Sequence, residues 1–313
     1  MERNVIIIEN PSEIGAGVRG AGLGPVAVRM EEHRLGNHIY SRFPFKNIDS
    51  YNHELVRESP YKHAKYIDFI QKQNERLVEE VQDELKLGRF PLIISGDHSN
   101  AMGSIAAMRD FYPDKRLGVI WIDAHADLHT PYTTPSGNVH GMPLGASLGE
   151  GYASDATNTP HANTLAAWEQ LTHLGPKHIH PKVEPQDLVM IAIRDLEDEE
   201  WQDIDDNEIM NYVPARMLNK TMTEVAEESL EYLSACDHIY ISFDVDSMDP
   251  SVSKGTGTSV ENGLTLDQAV ELLSVLYQSE KVSCLEITEI NPLIDVENKM
   301  AKAVIHILRK LLL

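Results

Sequence analysis

The sequence predicts an α/β domain built on a mostly parallel sheet, and three observations carry that expectation. Short β-branched runs alternate with longer stretches of helical period, the pattern of βαβ units. The runs are apolar almost throughout, as strands covered on both faces are. No internal repeat, low-complexity tract or linker divides the 313 residues, 42% of them hydrophobic, so one large core is available and residues 1–313 read as a single domain.

Six runs read as strands: residues 5–8, 91–94, 117–122, 188–193, 238–243 and 282–287. Between them the helices carry punctuation. Ser59 followed by Pro60 reads as the start of a helix whose stripe runs through Ile67, Ile70, Leu77, Val81 and Leu85 and stops at Gly88. Thr221 with Glu224, and Thr265 with Gln268, have capping-box spacing. Asp295 reads as the opening of the last helix, with Met300, Val304, Ile307 and Leu311 facing inward. Two segments look like insertions on a solvated surface: residues 149–186, around a short helix at 165–171, and residues 197–208, with eight acids in twelve positions. His161, His173, His178 and His180 of the first segment are spaced irregularly and read as surface histidines.

The charge balance narrows the partners. Against 49 Asp and Glu stand 27 Lys and Arg, a net charge of −22, which excludes a nucleic-acid backbone or an anionic membrane as partner. Cys236 and Cys284 are the two thiols, both in apolar context, so they read as core residues of a cytosolic protein with neither a disulfide framework nor a thiolate zinc site. The apolar run at residues 5–8 is too short for a signal peptide, and no run of 18 apolar residues occurs. A metal bound here takes oxygen and nitrogen ligands.

The chemistry follows the strands. Ser95-Gly96-Asp97-His98 comes after the second run, Asp123-Ala124-His125-Ala126-Asp127 after the third, Arg194-Asp195 after the fourth, Asp244-Val245-Asp246 after the fifth and Thr288-Glu289 after the sixth. In a parallel sheet these ends share one edge, where open α/β folds bind ligands. Alternation is expected to put Asp123, His125 and Asp127 on one face of an extended segment, with Asp244 and Asp246 repeating the arrangement. Carboxylates and imidazoles crowded in this way repel unless cations sit among them. The donor set suits Mn²⁺, with Fe²⁺, Co²⁺ or Ni²⁺ as alternatives, and shared aspartates suit a pair of ions. Asp249, before Pro250, reads as a turn former.

These blocks resemble the ureohydrolases, the arginase and agmatinase superfamily. The similarity rests on Ser95-Gly96-Asp97-His98-Ser99, Asp123-Ala124-His125-Ala126-Asp127, His140-Gly141-Met142-Pro143 and Ser242 to Pro250, and spans Gly15–Gly20 to Glu289-Ile290-Asn291-Pro292. The resemblance implies a three-layer, doubly wound domain with about eight strands and two Mn²⁺ per subunit. It implies that His98, Asp123, Asp127 and Asp244 hold one ion, and Asp123, His125, Asp244 and Asp246 the other, with a water or hydroxide between them. Glu289 is implied to pair with a guanidinium, Asp127 to take and pass on a proton, and His140 to relay protons.

Residues 127–141 resemble arginase rather than agmatinase. The resemblance implies that Thr134, Ser136 and Asn138 donate hydrogen bonds to a substrate carboxylate, together with His129, which stands where Asn is commoner. Glu197 and Glu200 align with the amino-group subsite, Glu197 replacing the usual Asp, and Thr258 with the guanidinium end. The expectation is therefore hydrolysis of L-arginine to L-ornithine and urea by a homotrimer or homohexamer. Agmatinase, guanidinobutyrase or formimidoylglutamase activity stands as the alternative, and a noncatalytic metal-binding scaffold as the non-enzyme reading.

Overall fold

Strand positions follow from runs apolar enough to be covered on both sides. The structure, a computed structural model, describes residues 3–36, 38–149 and 156–313. It contains the strands β1 (Val5–Asn10), β2 (Phe45–Asn47), β3 (Phe90–Ser95), β4 (Leu117–Ile122), β5 (Leu188–Ile191), β6 (Met210–Tyr212), β7 (His238–Asp244) and β8 (Val282–Thr288). All pair in parallel in the order β2-β1-β3-β8-β7-β4-β5-β6. The six expected runs are the six interior strands. The two edges, β2 and β6, have three residues each, too short to leave an apolar signature. β5 stops at Ile191, two residues early, because Ala192 takes a left-handed φ of 72° that breaks the ladder.

Alternate residues of each strand feed two cores, one on each face of the sheet. Val5, Ile7, Ile120 and Ile122 pack with the helices Gly24–Leu35, Met222–Tyr232, Leu266–Gln278 and Lys299–Leu312. Ile6, Ile8, Val119 and Trp121 pack with Ile67–Lys86, Ala101–Phe111, Pro143–Leu148 and Ala162–Thr172. The result is the expected three-layer, doubly wound single domain.

Helix boundaries show where local signals hold. Both capping boxes form. The stripe from Ile67 to Leu85 is buried, but its helix begins at Ile67 behind a left-handed Tyr66. Ser59 is not its cap, because the Ser59 hydroxyl accepts from the Tyr61 and Tyr66 amides within the preceding turn. The last helix begins at Lys299, yet Asp295 does cap it by accepting from the Met300 amide at 2.8 Å. Met300, Val304 and Ile307 are buried there and Leu311 is half-buried.

Residues 150–155 of the expected 149–186 insertion lie outside the described residues. The expected short helix runs over Ala162–Thr172, and His173 stacks on His180 with ring centroids 4.4 Å apart. Residues 197–208 are not simply a solvated surface. Asp198–Asp206 form a helix in which Glu200, Asp203 and Ile204 are buried; Glu197 and Glu200 build its capping box, and Glu200 also accepts from the Leu128 amide. Asp249 accepts from the Ser251 and Asn262 amides, which makes it a turn former. Cys236 and Cys284 are buried free thiols. Among the described residues no helix is long and apolar enough to cross a membrane.

Candidate metal centre

Winding order brings the strand ends together. After β3 the chain crosses to β4 and leaves a gap that β7 and β8 later fill, so the loops after β3, β8, β7 and β4 lie side by side. This is the switch-point position at which open parallel sheets bind ligands. The six expected ligands meet there. His98 Nδ1 stands 3.0 Å from Asp123 Oδ2, 3.0 Å from Asp127 Oδ2 and 3.2 Å from Asp244 Oδ2. His125 Nδ1 lies 3.4 Å from Asp123 Oδ1 and 3.2 Å from Asp246 Oδ2. Asp123 belongs to both groups, one oxygen facing each imidazole, while the second oxygen of Asp244 accepts from the Asp246 amide at 2.8 Å.

Turns achieve this convergence, not the strand pleat. β4 ends at Ile122, the segment after it bends, and Asp127 sits at a left-handed φ of 52°, so the expected extended face over residues 123–127 does not exist. Asp244 is the last residue of β7, and Asp246 lies in the short 3-10 turn after it. His98 opens a similar turn that Asp97 caps by accepting from the Ser99 amide.

The residues fit divalent ions. His98 Nδ1 and Asp123 Oδ2 are buried and close, yet neither has a hydrogen-bond partner, as expected of atoms aimed at a common point between them. Burial, and then the charge of neighbouring aspartates, pushes the Asp127, Asp244 and Asp246 carboxyls up; against the same burial, His125 and His98 hold Asp123 below its usual range. Oxygen and imidazole donors without thiolate suit the harder first-row divalent metals.

Outer contacts orient the ligands. His98 Nε2 pairs with Ser242 Oγ at 2.7 Å, and its ring stacks on Trp121 with centroids 4.1 Å apart. Thr258 donates to Asp246 Oδ2 at 2.8 Å, so it grips a ligand carboxylate as well as lining the pocket. Behind β7 and β8 the fully buried Glu286 accepts from the Tyr240, Ser95 and Ser104 hydroxyls. Sequence reasoning missed Ser242, Tyr240 and Glu286. Their signal was present as polar breaks in otherwise apolar strands.

Of the remaining expected residues, His129, Thr134, Ser136, Asn138, His140, Glu197, Glu200 and Thr258 line the cavity of about 130 Å³ that also holds the ligands, and Glu289 lines the larger one beside it. Glu289, at a left-handed φ of 65°, accepts from the His98 amide at 2.9 Å and pairs with His140 Nδ1 at 3.2 Å. Burial pulls the His140 imidazole down, but Glu289 outweighs it and raises the ring to about 8. On the opposite wall His129 Nε2 pairs with Glu197 Oε2 at 3.1 Å, and Glu200 accepts from the Leu128 and Glu197 amides. Burial, and then Glu197, pushes the Glu200 carboxyl well up. Thr134, Ser136 and Asn138 lie on a loop braced by the Gly137 amide to Thr134 Oγ1 and the Asn138 amide to Ser136 Oγ. A second cavity of about 630 Å³, reaching Val18 and Asp195, leads outward.

Fold and site together define an α/β protein with two carboxylate–imidazole groups, sharing Asp123, that could hold metal at its switch point. Residues 3–313 match the model of the Arginase family, and the chain belongs to that family of hydrolases. It is 33% identical to the arginase of Bacillus subtilis over 314 residues, covering 100% of this chain and 98% of that one. It superposes on the arginase of Bacillus caldovelox with a TM-score of 0.83 and 31% identity, over 99% of this chain and 98% of the other. The formimidoylglutamase of Bacillus subtilis shares the fold, with a TM-score of 0.74 and 20% identity over 100% of this chain and 87% of that one.

Proposed function

We propose that the protein hydrolyses L-arginine to L-ornithine and urea at a centre of two divalent ions, with Mn²⁺ as the ion and Co²⁺, Ni²⁺ or Fe²⁺ as substitutes. The observation that carries the reading is that two imidazole–carboxylate groups sharing Asp123 lie in one pocket with His140, with Glu289 bound to both His140 and the His98 amide. His98, Asp123, His125, Asp127, Asp244 and Asp246 would hold the ions, which when bound would supply a water of near-neutral pKa at that position.

The chain's own residues do the rest. Glu289 offers a buried carboxylate to a cationic guanidinium and fixes its orientation, an ion pair strengthened by the shielded site. Asp127, whose carboxylate stands 3.0 Å from His98 Nδ1 within the ligand group, takes the proton of the attacking water. His140, poised at about 8, exchanges protons between the leaving amine and the outward cavity. Glu197, Glu200 and His129 receive the α-ammonium end, and Thr134, Ser136 and Asn138 the α-carboxylate. Thr258 acts by holding Asp246.

Steady-state release of urea or formamide with Mn²⁺ tests the reading on L-arginine, agmatine, 4-guanidinobutyrate and N-formimidoyl-glutamate. Polar subsites left unpaired by the wrong substrate reject it by about 10⁴–10⁵. A preference for agmatine refutes arginine as the substrate, and metal uptake without turnover of any of the four identifies a scaffold. The same reading carries a homotrimer or homohexamer in the cytoplasm, which sedimentation and fractionation measure.

A further inference from the structure

At the end of the pocket away from the metal ligands, the loop carrying Thr134, Ser136 and Asn138 is strapped to a segment that lies 70 residues earlier in the chain. The Lys65 amide donates to the Gly137 carbonyl at 2.8 Å, and Lys65 Nζ donates to Asn138 Oδ1 at 3.1 Å. Gly137 has a φ of +75°, and a Cβ there would stand 2.1 Å from the Lys62 carbonyl oxygen, so the two segments fit in one register.

Two consequences follow for the pocket. An ammonium only donates, so the Asn138 atom facing Lys65 is the carbonyl oxygen, which fixes the amide's orientation and turns Nδ2 the other way. Nδ2 lies over Gly17, where a Cβ would stand 2.6 Å from it and 3.8 Å from His140 Nε2, in the mouth of the cavity; among the described residues it has no acceptor. Lys65 itself is half-buried and makes no ion pair among the described residues, in a chain of net charge −22 whose pocket holds six carboxylates, Asp123, Asp127, Asp244, Asp246, Glu197 and Glu200. An unpaired cation behind a row of neutral donors is the electrostatic complement of an anion.

We propose that Lys65 is a positioning residue that makes this end of the pocket an anion subsite, by orienting Asn138 Nδ2 toward the ligand and by supplying the countercharge behind it. The proposal rests on the hydrolytic reading above and deepens it. The substrate class is a guanidino compound bearing a carboxylate, and a guanidino amine such as agmatine lacks the group this subsite recognises.

Lys65→Met and Lys65→Arg test the proposal on L-arginine, L-argininamide, agmatine and 4-guanidinobutyrate, with bound metal and thermal melting measured in parallel. Lys65→Met is expected to raise KM for L-arginine about tenfold, the scale of one charge-assisted contact at a half-exposed site, with kcat unchanged within about twofold. KM for L-argininamide and agmatine is expected to stay constant, and Lys65→Arg to restore most of the loss. Equal changes for the substrates with and without a carboxylate show that Lys65 merely braces the loop and overturn the proposal, as does an unchanged KM for L-arginine. A wild-type preference for 4-guanidinobutyrate with the same KM split refutes arginine as the substrate but upholds the anion subsite. A wild-type preference for agmatine overturns both.

Discussion

Replacing Ser242 by alanine separates the two halves of the proposed metal centre. His98 is about 1% exposed and stacked on Trp121, and its Nε2 has the Ser242 hydroxyl as partner at 2.7 Å. That contact leaves Nδ1 free to face the three carboxylates. Removing the hydroxyl strands a buried N–H, which costs about 1–3 kcal/mol. It also removes what fixes the imidazole tautomer, a loss worth about 10–100-fold in metal affinity, or about 1.4–2.8 kcal/mol. The two figures agree because both measure how firmly one ring nitrogen is held. The second imidazole, His125, does not touch Ser242, and its group is anchored by Thr258 on Asp246. Calorimetric titration of metal-free Ser242→Ala with Mn²⁺ is therefore expected to show one site weakened by that factor and one unchanged. Equal weakening of both sites, or of neither, refutes the argument that this hydroxyl acts through His98.

Two further outcomes follow from the same geometry and from a buried lysine outside the site. Asp123→Asn, which alters the carboxylate shared by both groups, is expected to lose metal and urea release together, whereas His140→Ala keeps its metal and loses rate; metal depletion in the histidine variant contradicts its assignment to proton transfer. Lys182 is 4% exposed, its ammonium held by the Thr172 and Ile179 carbonyls, and burial lowers it to about 8. Below about pH 8 both folded and unfolded chains carry the charge and the whole burial cost is present. From there to about 10.5 the unfolded chain binds more protons, so stability rises with pH. Relative to Lys182→Met, the wild type is expected to gain about 2 kcal/mol in urea unfolding between about pH 7.5 and 9.5, and a flat difference refutes the lowered value.

The interior of the fold was legible because two-faced burial writes itself into composition. Residues 117–122 and 238–243 read as strands for that reason, and the acids that end them read as ligands because a charged cluster at a parallel edge needs a cation. What failed to show was decided by partners distant in sequence. All three residues of β2 are exposed, and it pairs with β1 alone, so nothing in Phe45-Lys46-Asn47 marks it. The turn signal at Ser59-Pro60 was real but served the turn, and the acidic run after Glu197 looked solvated because its buried Glu200 is met by the Leu128 amide, 72 residues away in the chain. Glu286 reads as a flaw in β8 until Ser95, Ser104 and Tyr240 are brought to it from three other elements.

The site's backbone shows what that assembly costs. Asp127, Ala192 and Glu289 all hold left-handed φ values, of 52°, 72° and 65°, just beyond strand ends, at about 1–3 kcal/mol each for non-glycine residues. Each is held there by the chain around it. The Glu289 amide donates to the Gly96 carbonyl, the Leu144 amide to that of Asp127, and the Ala192 amide to that of Tyr212, while Arg194 returns a hydrogen bond to Ala192. The three backbone bonds each join the turn to another segment, so relaxing one strained residue would break a tertiary contact. The left-handed turns fold Asp127 back over the edge toward His98 and Glu289 toward His140, positions a continuing strand would not reach. Strain and charge repulsion thus concentrate on the same few residues. The sheet's rigidity opposes the first, and cations held by the proposed ligands would oppose the second, so chelation is expected to soften the site electrostatically while leaving the turns in place.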